Sequence, residues 1–180
     1  NDWSVWNEMY RYALKPNPAW VKENIGDDAP APADISMAMV FGKNGNLLSA
    51  SSVTYKGAKL KILMPQLTPY LELIKNGTRQ ARCGIIRIDA GLMMVCWAGI
   101  VQSDASGEVV GTVVMGRMLD SSRLSKLREQ TRLPFDLEAK PELPEGLTRW
   151  SGMLSPGTIG SGDFWTSYDP DVYHLYYPVQ

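Results

Sequence analysis

The chain has 180 residues, 44% hydrophobic and 21% charged, with a formal net charge of -1. These are ordinary globular values, enough for one domain to fold without a metal or a disulfide. The near-zero charge argues against nucleic acid, because the densest basic stretch, Arg117 to Arg132, is broken by Asp120 and Glu129 and reads as a solvated face.

In chain order, Trp3, Trp6, Tyr10 and Ala13 recur at spacings of three and four, one stripe of a helix. The chain thus opens on what reads as helix interior, as if cut from a longer protein. Pro16 and Pro18 end that helix, and Asn17-Pro18 predicts a further turn to Asn24, with Asn17 as cap and Pro18 at the first position. Gly26 to Asp34 reads as an exposed loop. Ser36 to Phe41 and Leu47 to Val53 predict two strands joined through Asn44-Gly45, a hairpin turn signal. Leu63 to Ile74 is helical in its spacing of Leu67, Leu71 and Ile74; Pro65 and Pro69 delay or bend it, and Asn76-Gly77 stops it.

A second hairpin follows, Ala81 to Ile88 and Leu92 to Gln102, turning near Asp89-Ala90-Gly91. With Asp89 and Ala90 at the turn centre, Cys83 lies opposite Cys96 and a cross-strand disulfide can form. With Ala90 and Gly91 there, the two separate and stay buried thiols. Ser103 to Gly107 turns into an apolar strand, Val109 to Met118, and Gly116-Arg117-Met118-Leu119-Asp120 hands over to a helix at Ser121 to Gln130. Phe135 to Glu138 predicts one more short strand, Pro141 to Gly162 is loop-rich, and Tyr173 to Pro178 alternates like a last strand. A meander beside an earlier hairpin, flanked by helices, makes the fold class α+β.

No catalytic or metal constellation emerges. The only histidine, His174, sits between Tyr173 and Leu175 with no visible partner, and zinc spacings and a phosphate loop are absent. Gly157-x-x-Gly160-x-Gly162 follows no clear strand, and Asp27-Asp28 or Asp169-Pro170-Asp171 supplies too few oxygens for calcium. No catalysis and no cofactor are expected of this chain. The tryptophans are more informative. Trp97 shares a strand face with Val95 and Gly99, and aromatic walls build both pockets and cores. Arg87 and Arg117 lie in or at the ends of strands, so each needs an acidic partner or an anionic ligand.

Two segments near the start stand out, Asp2-Trp3-x-x-Trp6-Asn7-Glu8-x-Tyr10-x-Tyr12 and Asn17-Pro18-Ala19-Trp20-Val21-x-x-Asn24-Ile25. Further on come Gly84-Ile85-Ile86-Arg87-Ile88, Ser103-Asp104-x-Ser106-Gly107 and, most specifically, Gly111-x-x-x-Met115-Gly116-Arg117-x-Leu119-Asp120. Together they resemble the fourth CHASE family of extracellular sensor domains, which prefers aspartate at the position of Asn7. The likeness covers about residues 1 to 135. It implies a PAS/Cache-like antiparallel sheet flanked by N-terminal and connecting helices, outside the membrane in a prokaryotic receptor. Membrane helices would lie on either side, and a histidine kinase or cyclic-dinucleotide enzyme such as a diguanylate cyclase would be the output. It implies no binding residue.

The expected organisation is one domain: an N-terminal helical segment at 1–30, a sheet core at 36–130 and a loop-rich part at 131–180. The residues themselves suggest a small-molecule pocket between the sheet face of Trp97 and helices carrying Trp6, Tyr10 and Tyr70, with Arg87 or Arg117 meeting a negative group. Trp3, Gly116, Arg117 and Asp120 are expected to be structural, with Arg117 bracing the strand-to-helix junction. The alternative is a ligand-free module that forms a homodimer, or docks a protein, through the Trp3, Trp6, Tyr10 stripe.

Overall fold

The computed structural model describes residues 4–25, 35–52, 64–68, 70 and 79–137, and the backbone of strands at 148–150, 164–168 and 173–176. Trp3, the loop from Gly26 to Asp34, the whole stretch from Leu71 to Gly77, and the glycine-rich loop at 157–162 lie outside the described residues.

Two short helices open the fold, α1 (Asn7–Leu14) and α2 (Pro18–Asn24). Asn17 caps α2 by accepting bonds from the N–H groups of Ala19 and Trp20, and Pro18 occupies the first turn, where a missing donor costs nothing. Then come β1 (Met37–Gly42), β2 (Leu47–Ser52), β3 (Arg82–Ile88), β4 (Gly91–Gly99) and β5 (Gly111–Met118), followed by α3 (Ser121–Thr131). The five strands form one antiparallel sheet in the order β2-β1-β5-β4-β3. Residues 64–68 are helical and belong to the connection between β2 and β3. A separate three-stranded antiparallel sheet contains β6 (Thr148–Trp150), β7 (Phe164–Tyr168) and β8 (Tyr173–Tyr176).

Because successive side chains of a strand point to opposite faces, the sheet builds two cores. On one face Met37, Met39, Phe41, Ile86, Ile88, Met93, Val95 and Val114 are buried together with Leu67 of the connection. On the other, Val40, Ile100, Val110 and Val113 pack against Met9, Tyr12 and Ala13 of α1 and Ile25 after α2. Gly116 faces the first core. A Cβ on Gly116 would lie 2.6 Å from Met93 Sδ and 2.9 Å from Met37 Cε, so only glycine lets both methionines close over β5. Asp120 then caps α3 by accepting from the N–H of Arg123 at 2.8 Å. Arg117, half-buried on β5 opposite Met94, leaves the opposite face.

Three sequence expectations are corrected. The opening is not helix interior throughout: Trp6 has extended backbone (φ -141°), and Val5 forms a parallel bridge with Val101. Sheet pairing at long range outweighs the helical spacing of the aromatics there. Residues 133–137 form no strand. Arg128 Nε donates to the carbonyl of Phe135 and its Nη2 to Asp136 Oδ1 at 2.9 Å, so an arginine from α3 takes up the Phe135 backbone acceptor and pins the segment through the Asp136 side chain. The stretch expected to be loop-rich also holds β6 and β7, three and five residues long, too short for alternation to stand out.

Candidate functional site

The β3–β4 hairpin turns on Asp89 and Ala90, with Ile88 paired to Gly91, whose φ of +125° favours glycine. That register puts Cys83 opposite Cys96, and the two are joined by a disulfide with a Cα–Cα distance of 4.0 Å. Of the two turn centres weighed from the sequence, Asp89-Ala90 is the one formed. The disulfide lies beside Ile85 and Met94 and fastens the edge strand β3 to β4.

The tip of this hairpin is also bonded to the connection that covers the first core. Gln66 Nε2 donates to Asp89 Oδ2 at 2.9 Å, and the Asp89 N–H donates to Gln66 Oε1 at 2.7 Å. One side-chain amide thus satisfies both a carboxylate and a backbone donor. Beside this lock lies an open groove of about 620 Å³ lined by Gln66, Tyr70, Arg87, Ile88, Asp89 and Gly91. Its wall combines a phenol, an aliphatic side chain, an amide, a carboxylate and a guanidinium. Arg87 is exposed, and among the described residues it makes no hydrogen bond or ion pair. The groove therefore offers an apolar wall and a free positive charge, the elements that orient a small anionic molecule.

Of the five residues expected to share one pocket, only Tyr70 and Arg87 come together here. Trp97 belongs to the same core as Tyr70 and lies six residues beyond Gly91 on β4, about 20 Å at the rise of a strand. Arg87 leaves β3 on the face opposite Ile86 and Ile88, yet reaches the groove because β3 is the sheet edge. Trp6 and Tyr10 pack on the second core, across the sheet from Trp97. A single pocket holding all five is corrected on this ground: the sheet itself stands between them.

Tyr10 packs on the second core, and Trp6 also meets α2. The rings of Trp6 and Trp20 lie 5.3 Å apart, Trp20 stacks on Tyr12 at 5.0 Å, and Trp20 Nε1 donates to Glu8 Oε2 at 3.4 Å. Trp6 and Tyr12 therefore hold α2 against α1 through the Trp20 ring, a geometry that adds about 0.5–1.5 kcal/mol per ring pair beyond area burial. The polar residues that sequence reasoning missed are Gln66 and Asp89. The signal available for them was a turn aspartate in the groove-end hairpin, which does not by itself indicate its partner 23 residues away.

A five-stranded antiparallel sheet in the order β2-β1-β5-β4-β3, covered on one face by N-terminal helices and on the other by the β2–β3 connection, defines a PAS/Cache-like α+β sensory domain. The chain belongs to the CHASE4 domain family, whose model matches residues 1–138. It is also similar to the methanogenesis regulatory histidine kinase FilI of Methanothrix harundinacea (strain 6Ac), with 23% identity over 151 residues. That alignment takes in 80% of this chain and 17% of the kinase, so the chain spans a small part of its relative. The chain is thus a sensory domain of the kind that signalling receptors carry. No helix among the described residues is long and apolar enough to cross a membrane.

Proposed function

We propose that this chain is the extracytoplasmic ligand-sensing domain of a membrane-bound prokaryotic receptor, with a histidine kinase or cyclic-dinucleotide enzyme as output, and that it is not itself catalytic. The observation that carries the reading is the groove at the β3–β4 tip, where Tyr70 lies with Arg87, a guanidinium without a bonding partner among the described residues. Its ligand is a small molecule with a negative group for Arg87 and an apolar body for Tyr70 and Ile88. The disulfide supports a location outside the cytoplasm, since such bonds persist mainly in oxidising compartments. Binding acts by differential affinity: a ligand that fits the groove better in one arrangement of the connection shifts the population toward it.

A thermal-shift screen of small organic anions tests this. A binder at ~100 times its dissociation constant should stabilise the domain by about 2.7 kcal/mol. Arg87→Gln should remove that gain while the unliganded melting temperature stays within a degree or two. A screen without any stabiliser, combined with a tight dimer in sedimentation, would instead support a ligand-free dimerisation module. A binder lost in Trp97→Ala but kept in Arg87→Gln would move the site to the other end of the sheet.

A further inference from the structure

The turn between β4 and β5 is gripped from two sides. From the N-terminal segment, Ser4 accepts at its carbonyl from the Val101 N–H at 2.9 Å, and Val5 bridges Val101 in parallel. Asn7 and Ser103 exchange two bonds, Asn7 N–H to Ser103 Oγ at 3.0 Å and Ser103 N–H to Asn7 Oδ1 at 2.9 Å. From the other side comes Arg79, three residues before β3. Its Nη1 donates to the carbonyl of Ala105 at 2.6 Å and its Nη2 to the carbonyl of Gly107. A planar guanidinium can hold two carbonyls at a fixed spacing, which an ammonium cannot.

The turn between these grips has a fixed shape. Ala105 and Gly107 have φ of 59° and 77°, the Ala105 N–H donates to the Gln102 carbonyl at 2.8 Å, and the Ser106 N–H donates to Asp104 Oδ1 at 2.9 Å. A Cβ on Gly107 would approach Tyr10 Oη to 3.3 Å and Gln102 Nε2 to 2.9 Å, so α1 also presses on the turn. Arg79 ends the same β2–β3 connection that carries Gln66 and Tyr70 over the groove face, whereas Asn7 begins the helix that covers the opposite face. Both coverings therefore bond the same short turn, from opposite ends of their own segments.

We propose that the turn at residues 101–107 is a coupling joint, in which Arg79 and Asn7 act as positioning residues that control each other's segment without touching. Its use in signalling rests on the ligand-sensing reading, but the coupling itself does not. The bonds from Asn7 and Arg79 are solvent-exposed, so they open at low cost and can change partners. Movement of the connection at Arg79 alters the carbonyl positions of Ala105 and Gly107. The turn passes that change to Ser103 and so to the first residue of α1.

Amide hydrogen exchange on the 180-residue chain tests the joint without a ligand. Arg79→Lys should speed exchange at Val101, Ser103 and Asn7 by about fivefold, the rate equivalent of roughly 1 kcal/mol of coupling. Asn7→Ala should speed exchange at residues 79–82, because coupling is reciprocal. Arg79→Lys combined with Asn7→Ala should then cost less stability than the two alone added together. Effects confined to residues 105–107 in Arg79→Lys, with additive stabilities, would overturn the proposal. If Asn7→Ala fails to fold, Ser103→Ala removes one of the same two bonds and replaces it in the cycle. A failed ligand screen leaves this result untouched, and additive stabilities leave the groove untouched.

Discussion

The two faces of the sheet are covered by different means. On the α1–α2 face, Met9 is fully buried, Tyr12 nearly so, and Trp20 stacks across both helices, so helix and sheet interlock. On the opposite face the floor is rich in methionine: Met37, Met39 and Met93 are buried, with Met64 and Met118 packed against them. Its cover is tied to the sheet tip through Gln66 and Asp89, beside an open groove. Methionine is unbranched and tolerates repacking, so such a floor adapts to a changed cover at small cost. One face holds the domain's shape, and the other has room to change. On the proposed reading the ligand acts at the second face, because a ligand can shift only an element with more than one accessible arrangement.

The interlocked face should show the largest mutational effects. Met9→Ala should destabilise the domain by about 2–5 kcal/mol, as large-to-small changes at fully buried sites do. A midpoint shift in urea at unchanged slope would register it, and a loss under 1 kcal/mol would mean that α1 is not locked onto the sheet. Opening the Cys83–Cys96 bond by the double change to serine should cost about 3 kcal/mol from loop-closure entropy across its sequence separation of 13. Gly116→Ala should cost about 1–3 kcal/mol, because the new methyl must displace Met93 and Met37. A neutral result there would show that the methionine floor yields even more freely than its packing suggests.

The smallest effect is a pH dependence at the β4–β5 turn. The Ser106 hydroxyl, and after it the Ser106 N–H, hold the Asp104 carboxyl below its ordinary value of 3.8. A carboxyl lowered in the folded state contributes stability that is present above the unfolded value and lost as pH falls through the lowered one. Amides of the turn should therefore exchange faster below about pH 3.8 than intrinsic rates predict, and Asp104→Asn should remove that acid dependence. Because Asp104 is fully exposed, the change should be small. Unchanged acid behaviour in Asp104→Asn would assign it to other carboxylates.

Much of this was legible in the chain. Alternation within Leu92 to Gln102 correctly set Trp97 with Val95 and apart from Cys96, and Asn17-Pro18 marked the start of α2 to the residue. The α+β class and the strand order along the chain followed from the same patterns. Less legible was which cover lies over which face. Alternation assigns residues to two sides of a strand, but the path of the connecting chain decides where a helix lands. Hence Trp6 and Tyr10 were expected beside Trp97 and instead lie across the sheet from it. The hairpin register stood one residue from ambiguity, since Gly91 suits either turn and only pairing along the whole of β3 selects one. The Gln66–Asp89 lock and the Arg79 grip were hidden for another reason: both join polar residues far apart in sequence, and neither leaves a periodic signal.

On the proposed reading the groove face, and not the interlocked face, receives the ligand. Chemical-shift mapping by NMR, with the strongest anionic stabiliser from the screen, tests it most directly. The largest shifts are expected at Gln66, Tyr70, Arg87 and Asp89, with smaller ones passing through Arg79 and the turn at 101–107, and all of them should be lost in Arg87→Gln. Largest shifts around Trp6, Tyr12 and Trp20, undiminished in Arg87→Gln, would contradict it.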